Sequence, residues 1–592
     1  MHSIRRSQMD LQRRHRRRRM QMWRSAAANV EAATSMLIND IKKDFYQQLL
    51  DQRILLLVHC DVDAICTSAI LQELFRGDHV LYTLIPIKGP DDLRQSFKDN
   101  VGLVRLVVLI NCGISMDLVA ELDPPDDVII FVIDSQRPMD VNNVYNDGQV
   151  RIVTPVTAED GVPPFSDLYR SDDSDSDSDA GESESGGEKR RRYDAAFLAR
   201  RQDRRRWEER RDRLLAEYSQ FSMYGDCSAL LAYDLALRMS RDTSQLLWYG
   251  LVGLTEQLLL RKVEHQRYVL SAGHYQGQVA RYGHQRDETT SADCLRLAFE
   301  QDLNLVLYRH WSLFDSLRFT PLVACQFKLF TFKGEKRLQE FLAELGLPLV
   351  QCRQKFASMD MALRGQVRDL IQAKAEKYLL DGVLYGAFQA RLGFRQPLAA
   401  ADVVHAMVAL LENPDPHRSA DDCFMDALSA LDRRQEPLLR RGIGLAEKLA
   451  QVTCATVQSL LDMHQVISVG AFLYATVSDG EPNSHFFARP HCLTALAHFV
   501  LRAHVAGERS KRSRQLPLIL TTPLGRDGGA CLVVGVPPLS EQSPRNLFGK
   551  AFEKAAQRIR ANITPRSFDG SVVEVQVDDR TRFVDALVSL LA

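Results

Sequence analysis

No apolar run in the 592-residue chain approaches the ~18 residues that a membrane-spanning helix needs. No membrane segment is expected. The 11 cysteines include no C-x-x-C pair, and the closest two are Cys60 and Cys66. That pattern gives neither a zinc signature nor a disulfide framework, so free thiols in a reducing compartment are expected. Walker loops, G-x-G-x-x-G and H-E-x-x-H are all missing. The commonest nucleotide and zinc-protease signatures are therefore excluded. The formal net charge of -1 leaves little room for a uniformly basic nucleic-acid binder. Any such contact must come from local patches. There is no internal repeat.

What is present is enough apolar material, 45%, to build several packed cores. The first 35 residues differ: nine arginines precede residue 25, and Asp10 is the one acid among them. Such a stretch reads as a transit peptide, a nucleic-acid-binding arm or an extension outside the fold. The last is favoured, because ordered patterning begins near Met36. From there to Val153 short apolar runs alternate with helical ones. Strands are expected at Ile54–Val58, Val80–Pro86, Arg105–Asn111, Val128–Asp134 and Gln149–Val153. Near-continuous apolar strands suit a parallel sheet covered on both faces.

Composition then breaks. Ser171 to Glu188 holds eight acids, six serines and no large apolar side chain. It should not order by itself, and its serines are candidate kinase sites. From Lys189 to Glu217, twelve basic and six acidic residues interleave, as on a salt-bridged helix. Lys189, Arg190, Arg191 and Arg192 with Arg204, Arg205 and Arg206 fit a two-part nuclear localisation signal. Patterning from Tyr224 to about Glu447 is mainly helical. Strands return after Leu461, in "GAFLYATV", "LPLILTTPL" and "ACLVVGVPP". The expected division is 1–35 extension, 36–165 first α/β domain, 166–190 acidic linker, 191–260 basic helix and completion of that domain. A mainly helical region follows at 261–455, then a second α/β domain at 456–592.

Functional groups of open α/β sheets collect beyond the carboxyl ends of parallel strands. The first strand runs into His59, Asp61 and Asp63. Another ends at Asn111, and another at Asp134, Ser135 and Gln136. If these strands are neighbours, their oxygen and imidazole groups suit Mg²⁺ or Mn²⁺. Two such ions about 3.5–4 Å apart can clamp a phosphoryl group and activate water. The residues alone also admit a plainer reading. Asp61 or Asp63 caps the helix opening near Ala64, and Asp134 braces the following loop.

His59-x-Asp61-x-Asp63 resembles the first motif of the DHH phosphoesterases. The blocks "DFYQQLLDQRILLL", "DVDAICTSAILQELF", "INCG", "VNNVYND", "WYGLVGLTEQ", "LVLYRHWSLFDSL" and "FGKAFEKAAQRI" resemble one branch, the cell division control protein 45 family. The resemblance runs from about Met36 to Ala592. It implies a DHH-like parallel-sheet domain, a mainly helical insertion and a smaller DHHA1-like α/β domain. It also shows departures from the enzymes. Asn111 stands for the second-motif aspartate, Ser135 and Gln136 for both histidines, and Glu256 for the later aspartate. Losing a carboxylate and two imidazoles argues against two-metal hydrolysis. A single weak Mg²⁺ or Mn²⁺ at Asp61, Asp63 and Asp134 stays open, and no cofactor is required.

The resemblance implies a non-catalytic, nuclear core subunit of the replicative helicase. Its implied partners are the Mcm ring, the GINS complex, replication initiation factors and fork polymerases. Single-stranded DNA is a further expected ligand, with Arg502, Arg509, Lys511, Arg512 and Arg514 as candidate contacts on a basic loop. The rival reading is an active metal-dependent single-strand exonuclease.

Overall fold

The computed structural model describes residues 38–591 apart from 39, 147, 170–194, 284–294, 393–395, 479, 482, 508–511, 525–528 and 540–544. The expected extension, residues 170–190 of the acidic linker, Lys189 to Arg192, Arg509 and Lys511 lie outside the described residues.

Five parallel strands form the first sheet: β1 (Arg53–His59), β2 (Leu81–Ile87), β3 (Leu106–Ile110), β4 (Ile129–Ile133) and β5 (Val150–Ile152). Their order is β2-β1-β3-β4-β5. The strand side chains alternate between two cores, as a pleated strand dictates. Ile54, Leu56 and Val58 face the core built with helix α1 (Val62–Gly77). Leu55 and Leu57 face the core that holds Leu93 and Phe97 of helix α2 (Pro90–Asn100). Each fully buried aliphatic side chain contributes roughly 1.5–3 kcal/mol. Both faces are therefore covered, as the apolar strands require.

Register fixes the functional edge. Val58 pairs with Ile110, and Ile110 pairs with Ile133. The carboxyl ends of β1, β3 and β4 therefore stand side by side. Asn111 N–H also donates to the Ile133 carbonyl at 2.8 Å.

Helix α3 (Ala195–Tyr218) carries the basic stretch, with Arg204 bonded to Glu208 one turn away at 3.1 Å. Arg204, Arg205 and Arg206 are exposed on it. Helices α4 (Ser228–Arg238) and α5 (Ser244–Leu259) then return to α1 and close the first core. The middle region departs from the helical expectation. Strands β6 (Leu295–Leu303) and β7 (Leu384–Leu392) pair antiparallel along nine residues. Phe299 packs on Phe388, ring centroids 4.8 Å apart, directly over Gly386.

The C-terminal sheet has six strands. Its longer members are β8 (Leu473–Thr476), β9 (Leu518–Leu524), β10 (Ala530–Val536) and β11 (Val572–Gln576). Only β8 and β9 run parallel among these four. Helix α6 (Pro490–Gly507) packs against β9 and β10 with Leu493, Leu496, Val500 and Leu501 buried. Among the described residues, no helix is long and apolar enough to cross a membrane.

Candidate functional site

His59 ends β1, and its ring sits edge-on to Phe568 from the C-terminal domain, centroids 5.3 Å apart. Asp61 caps α1: the Ala64 N–H donates to its Oδ1 at 2.6 Å. The capping role thus belongs to Asp61, while Asp63 lies in the first turn of the helix. Asp61 has further partners. His59 Nδ1 lies 2.9 Å from Oδ2, and Lys262 Nζ lies 3.7 Å from the same oxygen.

Asp63 is wholly buried and filled with donors. The N–H groups of Ser228 and Ala229 donate to it at 3.1 and 2.9 Å. These are the first amides of α4, where a helix favours negative charge. Cys227 Sγ donates at 3.0 Å and Asn111 Nδ2 at 3.0 Å.

Asn111 is the hub. Its backbone is left-handed, φ 51°, which Asn tolerates better than most residues. The side-chain amide donates to Asp61 at 3.3 Å as well as to Asp63. Its carbonyl accepts from Ser228 Oγ at 2.6 Å and from the Ser135 N–H at 3.3 Å. A carboxylate at this position could accept the last two bonds but would repel both aspartates.

Asp134 spends its carboxylate on the backbone. The Gln136 N–H donates at 2.8 Å and the Ile114 N–H at 3.3 Å. Burial pushes its carboxyl up to about 6, against those bonds. Ser135 supplies its carbonyl to the Gly225 N–H at 2.6 Å, and Gln136 pairs with Tyr224 in a short antiparallel bridge.

Glu256 lies on α5 and has no solvent exposure. Lys262 Nζ approaches its Oε1 at 2.7 Å and sits over the Tyr224 ring, 5.1 Å from the centroid. Among the described residues, Glu256 Oε2 has no hydrogen-bond partner. Burial would lower the lysine, but Glu256 and Asp61 outweigh it and hold the ammonium protonated. Burial works to raise Asp61, yet Lys262 and His59 hold it well below the usual carboxylate range. Burial raises Glu256 and Asp63, and neighbouring carboxylates push both the same way. The cluster therefore holds its positive charge within the chain. Among the described residues, no three His, Cys, Asp or Glu side chains group as metal ligands.

Part of this cluster borders a cavity of about 760 Å³. His59, Asp61 and Gln136 line one side, and residues of the middle region and α6 line the others. The loop candidates fare differently. Arg502 is not on an exposed loop but half-buried on α6, facing this cavity. Arg514 is exposed, in the short helical turn Arg512–Gln515. Lys262, Cys227 and Ser228 escaped the sequence reading. The one available signal was the pair Arg261-Lys262, placed directly after a long apolar helix.

Two segments of the chain, 54–163 and 159–590, match the CDC45 family model. The chain belongs to the CDC45 family. The human cell division control protein 45 homolog is 40% identical over 566 residues, covering 94% of this chain and all of that protein. The Saccharomyces cerevisiae cell division control protein 45 is 22% identical and covers 90% of this chain and 95% of its own. The crystal structure of CDC45 from Entamoeba histolytica superposes with a TM-score of 0.69 at 20% identity, covering 93% and 98% of the two chains. At that identity the match bears on the fold, a mixed α/β architecture with a parallel sheet. Membership in this family makes the chain a DNA replication factor.

Proposed function

We propose that this CDC45-family chain acts without catalysis, as a nuclear core subunit that bridges the Mcm ring and GINS in the replicative helicase. The observation that carries the non-catalytic reading is Lys262. Its ammonium stands 2.7 Å from Glu256 and 3.7 Å from Asp61, so it engages two of the carboxylates that a divalent ion would need. A metal pair must outcompete its own hydration with several anionic ligands. Here Asp61 and Asp63 are already filled by Asn111, His59 and the α4 amides. The donor set therefore does not fit two divalent ions, and no hydrolytic step runs through it. The exposed basic triplet Arg204, Arg205 and Arg206 supports nuclear import.

The test has two arms. Purified protein incubated with manganese and single-stranded DNA is expected to release no more nucleotide than the Asp63→Ala variant. Co-expression with Mcm and GINS is expected to yield one complex by size exclusion. Manganese-dependent hydrolysis lost in Asp63→Ala would install the exonuclease reading instead. A second, compatible reading is contact with single-stranded DNA, supported by the exposed Arg514 and by the cavity-facing Arg502. Backbone binding of that kind weakens steeply with salt.

A further inference from the structure

Arg261 and Lys262 are adjacent, yet their charges meet different partners. Arg261 has φ 57°, a left-handed conformation that is costly for a residue with a side chain. It closes the end of α5, where the Lys262 N–H returns to the Gln257 carbonyl at 2.9 Å. Lys262 meets Glu256. Arg261 instead lines the cavity with His498 and Arg502, which lie one turn apart on α6.

Neither guanidinium has a hydrogen bond or ion pair among the described residues. The charged groups that bear on Arg261 are Arg502 and the Cys325 thiol. Burial holds Arg261 down at about 9, and the Arg502 charge pushes it the same way. Burial keeps Cys325 up at about 12, so the thiol supplies no anion. Burial and both arginines hold His498 at about 3, unprotonated.

Other charges on the cavity wall are already matched. Asp302 holds Arg309 at 2.7 Å, Asp402 faces His310 at 3.3 Å, and Asp61 faces Lys262. Glu264, Asp381 and Asp569 also reach the wall, but none of them bears on Arg261 or Arg502. Around the half-buried Arg261 and Arg502, what is left over is positive charge. Buried charge without a counter-charge is costly, and an incoming anion would remove that cost.

We infer that Arg261, His498 and Arg502 form a binding site for a phosphate monoester dianion. Two planar guanidinium forks match the oxygens of a phosphate in bidentate fashion. The imidazole, protonated as the anion arrives, adds a third donor. The cavity volume of about 760 Å³ exceeds what a bare phosphate fills, so an organic group fits with it. This site is independent of the helicase reading.

Calorimetry on the full chain in phosphate-free buffer tests it, with inorganic phosphate, adenosine 5′-monophosphate and a thymidine oligomer lacking a terminal phosphate as probes. Inorganic phosphate and the mononucleotide are expected to bind one per chain. Arg261→Gln or Arg502→Gln should weaken that binding about tenfold or more. Lys550→Gln, an exposed control paired to Glu553, should not. A second readout separates a binding role from a structural one. Without phosphate, either glutamine variant should unfold at a higher temperature than the parent, because one of two repelling cations is gone. Binding of the oligomer alone would replace the inference with a nucleic-acid backbone site. Absence of binding at millimolar phosphate, or lower unfolding temperatures for both variants, would overturn it.

Discussion

Replacing Lys262 by methionine tests the internal-cation reading most directly. The substitution keeps a long, flexible side chain and removes the ammonium. Lys262, Glu256 and Asp61 have side-chain exposures of 8%, 0% and 5%, so water cannot make good the loss. Removing one partner from a buried pair costs about 3–5 kcal/mol, because the other charge is stranded. The cation–π contact with Tyr224 goes too, worth roughly 1 kcal/mol. The expected loss at neutral pH is therefore about 4 kcal/mol in the unfolding transition of the domain carrying β1–β5. Urea denaturation followed by tryptophan fluorescence measures it. A companion Glu256→Gln change should restore most of the stability, since the buried carboxyl that must take up a proton in the folded chain disappears with its partner. The double-mutant cycle should then give a coupling of about 2 kcal/mol or more. Lys262→Met within about 1 kcal/mol of the parent, or no rescue by Glu256→Gln, refutes the reasoning.

Asn111→Asp replaces the amide that donates to Asp61 and Asp63 with a third carboxylate. A loss of about 3 kcal/mol is expected, easing as pH falls and the acids protonate; thermal unfolding at pH 7.5 and 5.5 measures both. Gly253→Ala would put a Cβ 2.9 Å from Asp63 Oδ1 and 2.8 Å from Ala229 Cβ, forcing α5 from α4. It should cost about 1–3 kcal/mol in chemical denaturation. His498 titrates at about 3 in the folded chain, below the ~6.5 of an unfolded histidine. Its contribution is present above pH ~6.5 and is lost as pH falls, because the unfolded chain then binds the extra proton. His498→Gln should therefore flatten the acid limb of the stability profile by about 3 kcal/mol between pH 6.5 and 4, measured by urea titration.

The parallel sheet was legible because its strands are nearly unbroken apolar runs, and a strand buried on both faces has to be. The predicted and observed strands differ by one residue at each end. β6 and β7 were not legible. Leu295–Leu303 carries Arg296, Glu300, Gln301 and Asp302, and its partner strand comes only after a long helical excursion. Propensity could not show that Phe299 needed Gly386 beneath it. β11 was missed in the same way, being five residues long and stabilised by pairing with β10.

The site divides along the same line. Residues at strand ends could be listed from sequence, because a parallel sheet presents all its carboxyl ends to one edge. His59, Asp61, Asp63, Asn111, Asp134, Ser135 and Gln136 were found that way. The partners that sequence could not list come from the start of α4 and the turn after α5, and the docking of those helices depends on packing far from the site. By itself the sequence determined the sheet, its functional edge and the loss of the enzyme-like donor set. Only the tertiary structure decided what filled the vacancy. It brought the first amides of α4 onto Asp63, set Lys262 against Glu256, and left Arg261 facing Arg502 without a counter-charge. Those outcomes depend on distances of a few ångströms between segments distant in sequence, which local pattern does not encode.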